Sequence, residues 1–326
     1  MKLDNIGFYT LSEDRARSVS TTSPIMRAEI LLTDKCNFKC PYCRGMKNKG
    51  ELPLSYVQET LENLCDQKLT NVRFSGGEPT LYPFLLQLVK GCKSSGVKRI
   101  AISTNGSAKK KFYLDLLNAG VNDFSISLDS GCCSIGDKMT GGVKNSWNTV
   151  VDNIKFISKK CYVTIGIVFN EINYNEASQT IKFIDSLGVS DIRIIPSAQY
   201  NKALNKLSDL PDNLVNKYPI LNYRIQNLKK GRNFRGIQKT DCKKCWLILD
   251  DTAISGPYQY PCIIYLREAG NPISKMGADF RERRIEWFKN HNSHNDNICK
   301  TNCLDVCCDY NNRVDYYVRK NARNII

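Results

Sequence analysis

Short apolar runs rich in Ile, Val and Phe recur along the first two thirds of the chain. They fall at Ala28–Thr33, Asn71–Phe74, Arg99–Ser103, Asp123–Leu128, Tyr162–Phe169 and Asp191–Ile195. Runs of this length, bounded by turn residues, predict strands. Between them the apolar residues take helical spacing. Tyr56–Leu64 sets Val57, Leu61 and Leu64 on one face, and Phe84–Val89, Phe112–Leu117, Val150–Ile157 and Ala177–Leu187 behave similarly. Gly50, Pro53, Gly96, Gly120 and Gly188 punctuate the joins. Strands alternating with helices predict βαβ units and a parallel sheet under helical cover, an α/β fold. Six units in about 170 residues are too few for a closed eightfold barrel, which leaves an open partial barrel or a doubly wound sheet.

The pattern stops near Pro196. Residues 201–240 are polar and basic, with Lys229, Lys230, Arg232, Arg235 and Lys239 close together, and read as a linker carrying one helix. From Asp241 the composition changes: Cys242, Cys245, Cys262, Cys299, Cys303, Cys307 and Cys308 crowd into a small cysteine-rich C-terminal domain. The expected division is an N-terminal extension over 1–27, the α/β unit over 28–200, the linker over 201–240 and the cysteine-rich domain over 241–326. The short stretch before the first strand leaves no room for an N-terminal peptide-recognition domain.

Of 326 residues, 42% are hydrophobic and 24% charged, which excludes a disordered chain. The longest clean apolar stretch, around Tyr162–Phe169, is far short of the roughly 20 residues a spanning helix needs. Met1–Asp14 lacks a basic region followed by an apolar core, so a cytoplasmic protein is expected. The 15 cysteines are odd in number and lie in a long chain with no secretion signal, which favours metal ligation or redox chemistry over disulfides. The net charge of +15 fits nucleic acid, phosphate-bearing substrates or acidic peptides, and equally a solvated Lys-rich surface.

Directly after the first strand comes Cys36-Asn37-Phe38-Lys39-Cys40-Pro41-Tyr42-Cys43. Three thiolates in eight residues can converge on one centre, one ligand short of a tetrahedral zinc or a fully protein-bound iron–sulfur cube. Sites lacking one protein ligand take substrate or cofactor in the open position. A structural zinc knuckle and a thioredoxin-like pair are the bland alternatives.

This stretch resembles the signature of the radical S-adenosylmethionine (SAM) enzymes. The resemblance implies that Cys36, Cys40 and Cys43 hold three irons of a [4Fe–4S] cluster whose fourth iron is chelated by SAM. It implies a 5′-deoxyadenosyl radical that abstracts a substrate hydrogen, and it puts Tyr42 near the adenine. An external electron donor such as flavodoxin or ferredoxin is implied as partner. The same resemblance selects a partial (β/α)6 TIM-like barrel. Further stretches in the same order match the family. Gly76, Gly77 and Glu78 of a Gly-Gly-Glu-Pro turn correspond to the site for the methionine amino group. Ser103 and Asn105 end the third strand, and Ser127 and Asp129 the fourth. Ile195 ends the sixth, where the family cradles the adenine. The resemblance covers about residues 25–200.

The later cysteines resemble the C-terminal SPASM and twitch domains, which carry auxiliary iron–sulfur clusters. The full SPASM run is missing, since only x3 spacings follow Cys299. One auxiliary [4Fe–4S] cluster is expected, on Cys245, Cys262 and two of Cys299, Cys303 and Cys307, with Cys242 as an alternative ligand. The turn at Gly256-Pro257 predicts a hairpin bringing them together. A structural zinc site with His291 or His294 is the alternative. Cys65, Cys92 and Cys161 read as core residues. Cys132 and Cys133, after the fourth strand, are candidate hydrogen donors to a substrate radical. Lys229–Lys244 with Arg281, Arg283 and Arg284 would suit an anionic substrate. The substrate itself, whether small molecule, nucleotide or peptide, is not specified. Two other functions compete: a zinc-stabilised nucleic-acid-binding protein, and an iron–sulfur electron carrier.

Overall fold

The computed structural model describes residues 12–45, 50–197, 207 and 210–320. Residues 1–11 of the expected N-terminal extension, 201–206, 208 and 209 of the expected linker, and 321–326 of the C-terminal domain lie outside the described residues.

Among the described residues, nine strands make one sheet: β1 Arg27–Thr33, β2 Asn71–Gly76, β3 Arg99–Thr104, β4 Asp123–Ser127, β5 Tyr162–Phe169, β6 Asp191–Pro196, β7 Asp251–Ser255, β8 Tyr258–Tyr260 and β9 Ser274–Lys275. Their order is β6-β5-β4-β3-β2-β1-β7-β8-β9. Strands β1 to β6 pair in parallel, each with its successor. Helices Leu54–Asp66, Leu85–Ser94, Lys110–Ala119, Ser146–Ile157 and Ala177–Asp185 fill the crossovers. The sheet is open, with β6 and β9 at its edges, as in a partial barrel.

Each strand has an apolar and a polar face, because successive side chains point to opposite sides. In β2, Val72 and Phe74 join the main core under the helices. Arg73 and Ser75 belong to the other face, where Arg73 pairs in register with Glu29 of β1 and Ala101 of β3. The same side continues across Ser103↔Ser125, Ser127↔Gly166 and Gly166↔Arg193. The inner face is therefore a polar lumen, and the strand ends above it carry the site.

The cysteine-rich region does not hang as a separate body. Strand β7 lies parallel to β1, with Arg27 opposite Asp251, and extends the same sheet. Strands β7 and β8 form an antiparallel hairpin around Gly256, whose φ of +57° is a left-handed value that glycine takes without strain. The expected linker is also structured. Helix Pro219–Lys229 packs on β6, burying Leu221 and Ile225, and helix Asp212–Lys217 packs on it in turn. A charged composition hid them, because Arg224 is buried against Asp305 rather than solvated. At the other end, helix Glu13–Ser18 packs on helix Asp305–Lys320, and Arg15 Nε donates to Asp250 at 2.7 Å. Among the described residues, no helix is long and apolar enough to cross a membrane.

Candidate active site at the strand ends

The loop after β1 is held backbone to backbone. Gly77 N donates to Thr33 O at 2.7 Å and Glu78 N to Lys35 O at 2.8 Å. A Cβ on Gly77 would lie 2.3 Å from Lys35 O, and Gly76 has φ +133°, so two glycines let the turn after β2 close on the cysteine loop. On the other side Lys39 N donates to Thr140 O at 2.9 Å.

This packing opens a cavity of about 230 Å³. Cys36, Cys40 and Cys43 line it together with Tyr42. Gly76 and Gly77 line it from β2, and Ser103 and Asn105 from β3. Ser127, Asp129 and Ile195 complete the wall from β4 and β6. Phe38 N donates to Cys36 Sγ and Gly45 N to Cys43 Sγ, each at 3.4 Å. Burial and then Asp129 push the Cys40 thiol up to about 12, so its thiolate requires a compensating positive charge.

Asp129 accepts from Tyr42 Oη at 2.6 Å and from Val168 N at 2.7 Å. Burial raises it to about 6 against those two bonds. Asn105 Nδ2 donates to Asn37 Oδ1 at 2.8 Å, and Asn37 Nδ2 to Ser107 Oγ at 2.8 Å, tying the cysteine loop to the end of β3.

Three sets of expected residues lie off the cavity lining or are engaged in the fold. Glu78 does not line the cavity: its buried carboxylate accepts from Thr80 N and Oγ1, Thr104 Oγ1 and Asn105 N, between 2.6 and 3.0 Å. It braces the walls, with three of these bonds on Oε1 and one on Oε2. Cys132 and Cys133 also lie off the cavity lining; Cys132 Sγ faces Ser130, Ser134 and Glu176 at 3.5–3.7 Å, and Cys133 is exposed. The expected anion-binding arginines are engaged in the fold itself. Arg284 is buried among Ile248 O, Tyr260 O, Thr252 and Gln259, Arg281 bonds Leu249 O and Ser23 O, and Arg283 pairs with Asp279 and Glu286. Lys229 pairs with Asp212, Arg232 with Asp241 and Arg235 with Glu268. Cys65, Cys92 and Cys161 pack in or against the main core.

In the C-terminal region, Cys245, Cys262, Cys299 and Cys307 lie close enough to perturb one another, and Cys303 bonds Cys307. Burial pushes Cys245 up to about 12. Arg27 and Arg224 draw Cys307 the other way after its bond from Cys303, and Arg284 acts on Cys245 and Cys262. Several thiols under buried guanidinium groups suit an anionic thiolate cluster. Cys242 stands apart, beside Trp246 and Asp315.

Comparison with known proteins decides the family. Residues 30–184 match the radical SAM superfamily model. Those residues form a radical SAM domain. A GTP 3′,8-cyclase of Vibrio vulnificus is 30% identical over 164 residues, 47% of this chain and 48% of that protein, so the chain spans about half the length of that curated relative. A probable GTP 3′,8-cyclase of Saccharolobus solfataricus is 28% identical over 65% of this chain and 70% of that protein. Among solved structures, anSMEcpe with bound AdoMet aligns with a TM-score of 0.63 at 15% identity, over 91% of this chain and 98% of that one. Streptococcus suis SuiB bound to S-adenosylmethionine aligns at 0.58 and 16% identity, over 82% and 66%. These similarities carry the fold beyond the radical SAM domain into the cysteine-rich region.

Sequence reading missed the floor of this radical SAM cavity. Arg193 and Arg267 both line it. Arg193 donates to Ser125 Oγ at 3.1 Å, while its Nε has no hydrogen-bond partner among the described residues. Burial, then Arg73, holds its pKa down at about 9, still cationic at neutral pH. Its position between Ile192 and Ile194 was the available signal: alternation inside a strand puts such a residue in the lumen.

Proposed function

We propose that this chain is a radical SAM enzyme acting on an anionic substrate. The observation that carries the reading is the single cavity joining Cys36, Cys40 and Cys43 to the Gly76-Gly77 turn and to the polar ends of β3 and β4. The three cysteines would hold a [4Fe–4S] cluster with SAM on its fourth iron; bound together, they supply one-electron cleavage of the sulfonium and a radical that abstracts hydrogen. The chain's residues do the rest. Gly76 and Gly77 leave backbone close to the methionine end. Ser103, Asn105 and Ser127 offer polar groups to carboxylate and ribose, and Tyr42, Asp129 and Ile195 shape the adenine end.

Arg193 and Arg267 make the lumen floor cationic, and they favour a phosphate- or carboxylate-bearing substrate. The similarity to GTP 3′,8-cyclases supports a nucleotide such as GTP as the first compound to test. An external one-electron donor of the flavodoxin or ferredoxin kind would reduce the cluster. Cys245, Cys262 and the cysteines at 299, 303 and 307 form the ligand pool for an auxiliary cluster.

The test is anaerobic reconstitution with iron and sulfide, then dithionite and SAM, with 5′-deoxyadenosine and methionine read by mass spectrometry. Wild type should release both and Cys40→Ala neither. Equal cleavage by the variant would reject the site. Loss of GTP-dependent product in Arg193→Ala, with cleavage kept, would support the cationic floor.

A further inference from the structure

We propose that His291, Asp296 and Cys299 form a mononuclear zinc site, distinct from the iron–sulfur ligands. Among the described residues, these are the one group of three His, Cys, Asp or Glu side chains whose ligand atoms all lie within 4.8 Å of one another. Cys299 Sγ stands 3.6 Å from His291 Nε2. Tetrahedral bonds of about 2.3 Å to sulfur and about 2.0–2.1 Å to nitrogen separate those two atoms by about 3.5 Å. One sulfur and one imidazole nitrogen beside a carboxylate oxygen make a mixed set that suits zinc, whereas calcium and magnesium take oxygen donors.

The ligands are held by outer contacts of the kind that orient metal sites. The Trp287 indole stacks on the His291 ring, with centroids 3.7 Å apart and planes 18° off parallel. Tyr265 Oη donates to Asp296 Oδ2 at 2.9 Å, and Cys299 N to Asp296 Oδ1 at 2.8 Å. The loop between them is anchored, since Ser293 N and Oγ donate to Lys243 O at 2.9 and 2.8 Å. His291 borders a surface cleft of about 340 Å³, and a water would complete the fourth position. On binding, a zinc–sulfur bond replaces the Cys299 S–H bond and the proton leaves to solvent; no electron moves. The assignment takes Cys299 out of the auxiliary pool and leaves Cys245, Cys262, Cys303 and Cys307, four thiols for one cube.

The test uses the full chain, reconstituted anaerobically with iron, sulfide and zinc, dialysed against a weak chelator, and assayed for both metals. Zinc-edge X-ray absorption is measured on the same sample. About one zinc per chain is expected, with a single sulfur neighbour at about 2.3 Å. His291→Gln and Asp296→Asn should each weaken zinc binding at least tenfold while iron stays at the wild-type level. Cys299→Ala should do the same. A Cys299→Ala protein that keeps its zinc and loses iron makes Cys299 a cluster ligand and overturns the proposal, as does a wild type that retains no zinc or a His291→Gln protein that retains all of it. The zinc readout needs no SAM, so its failure is distinct from failure of the enzymatic reading, which appears as absent 5′-deoxyadenosine.

Discussion

The phenol of Tyr42 donates to Asp129 Oδ2 at 2.6 Å, joining the cysteine loop to the end of β4 across 87 positions of sequence. The bond fixes a buried carboxylate that otherwise accepts only from Val168 N among the described residues. Tyr42 also bonds the Cys40 sulfur. One aromatic side chain therefore sets both the shape of the cavity and the donors around one thiolate.

Tyr42→Phe removes that donor and leaves Asp129 with one partner. Losing a hydrogen bond to a charged group costs about 1.5–3 kcal/mol. SAM affinity should fall about tenfold or more, with iron content unchanged because all three cysteines remain. Equilibrium binding on the reconstituted protein measures the first and metal analysis the second; an unchanged Kd would show that the pair does not shape the cofactor site.

Glu78→Gln tests whether this carboxylate braces the fold or meets a ligand. Its two oxygens accept four hydrogen bonds, so an amide nitrogen at either place faces a donor with a donor. A loss of about 1–3 kcal/mol is expected in protein without SAM. Chemical denaturation of the apoprotein measures it. Wild-type stability with a large loss of SAM affinity would return Glu78 to the ligand.

Much of the domain was legible in sequence. The six strands and five crossover helices stand within a few residues of where apolar spacing put them, because each buries a continuous stripe of Ile, Val, Leu or Phe. What escaped was carried by arginine. Arg281 and Arg284 read as substrate-binding, yet they are engaged by backbone carbonyls that composition does not reveal, and Arg224 in the expected linker is buried against Asp305. The hairpin at Gly256-Pro257 was expected; what also escaped was the parallel pairing of its first strand, β7, with β1.

Arg284→Met follows from that lesson. Its guanidinium donates to Ile248 O at 2.9 Å and to Tyr260 O, Thr252 Oγ1 and Gln259 Oε1 at 3.0–3.1 Å, joining the start of β7 to β8. A thioether fills the space and satisfies none of these acceptors, each of which costs about 1–3 kcal/mol when left unpaired in the interior. The variant should lose at least about 3 kcal/mol of stability in urea, with little change in substrate affinity in whatever folds. The opposite pattern, full stability and weakened anion binding, would restore the substrate role.

A pH dependence of stability follows from Asp191, at the start of β6. Its buried carboxylate accepts from Ile192 N at 2.8 Å and Ile220 N at 3.1 Å, yet burial outweighs these bonds and raises its pKa to about 6. In the unfolded chain the value is about 3.9, so the native state binds the proton more tightly. The contribution is fully present below about pH 4 and is lost as pH rises through about 6. The gap between the folded and unfolded values corresponds to roughly 2–3 kcal/mol. Asp191→Asn keeps an oxygen for both backbone donors and carries no charge. Between pH 4 and 7 the wild type should therefore lose more stability than the variant, by up to that amount, in parallel urea denaturations. Curves that run parallel across the interval would show that Asp191 stays ionised in the native protein.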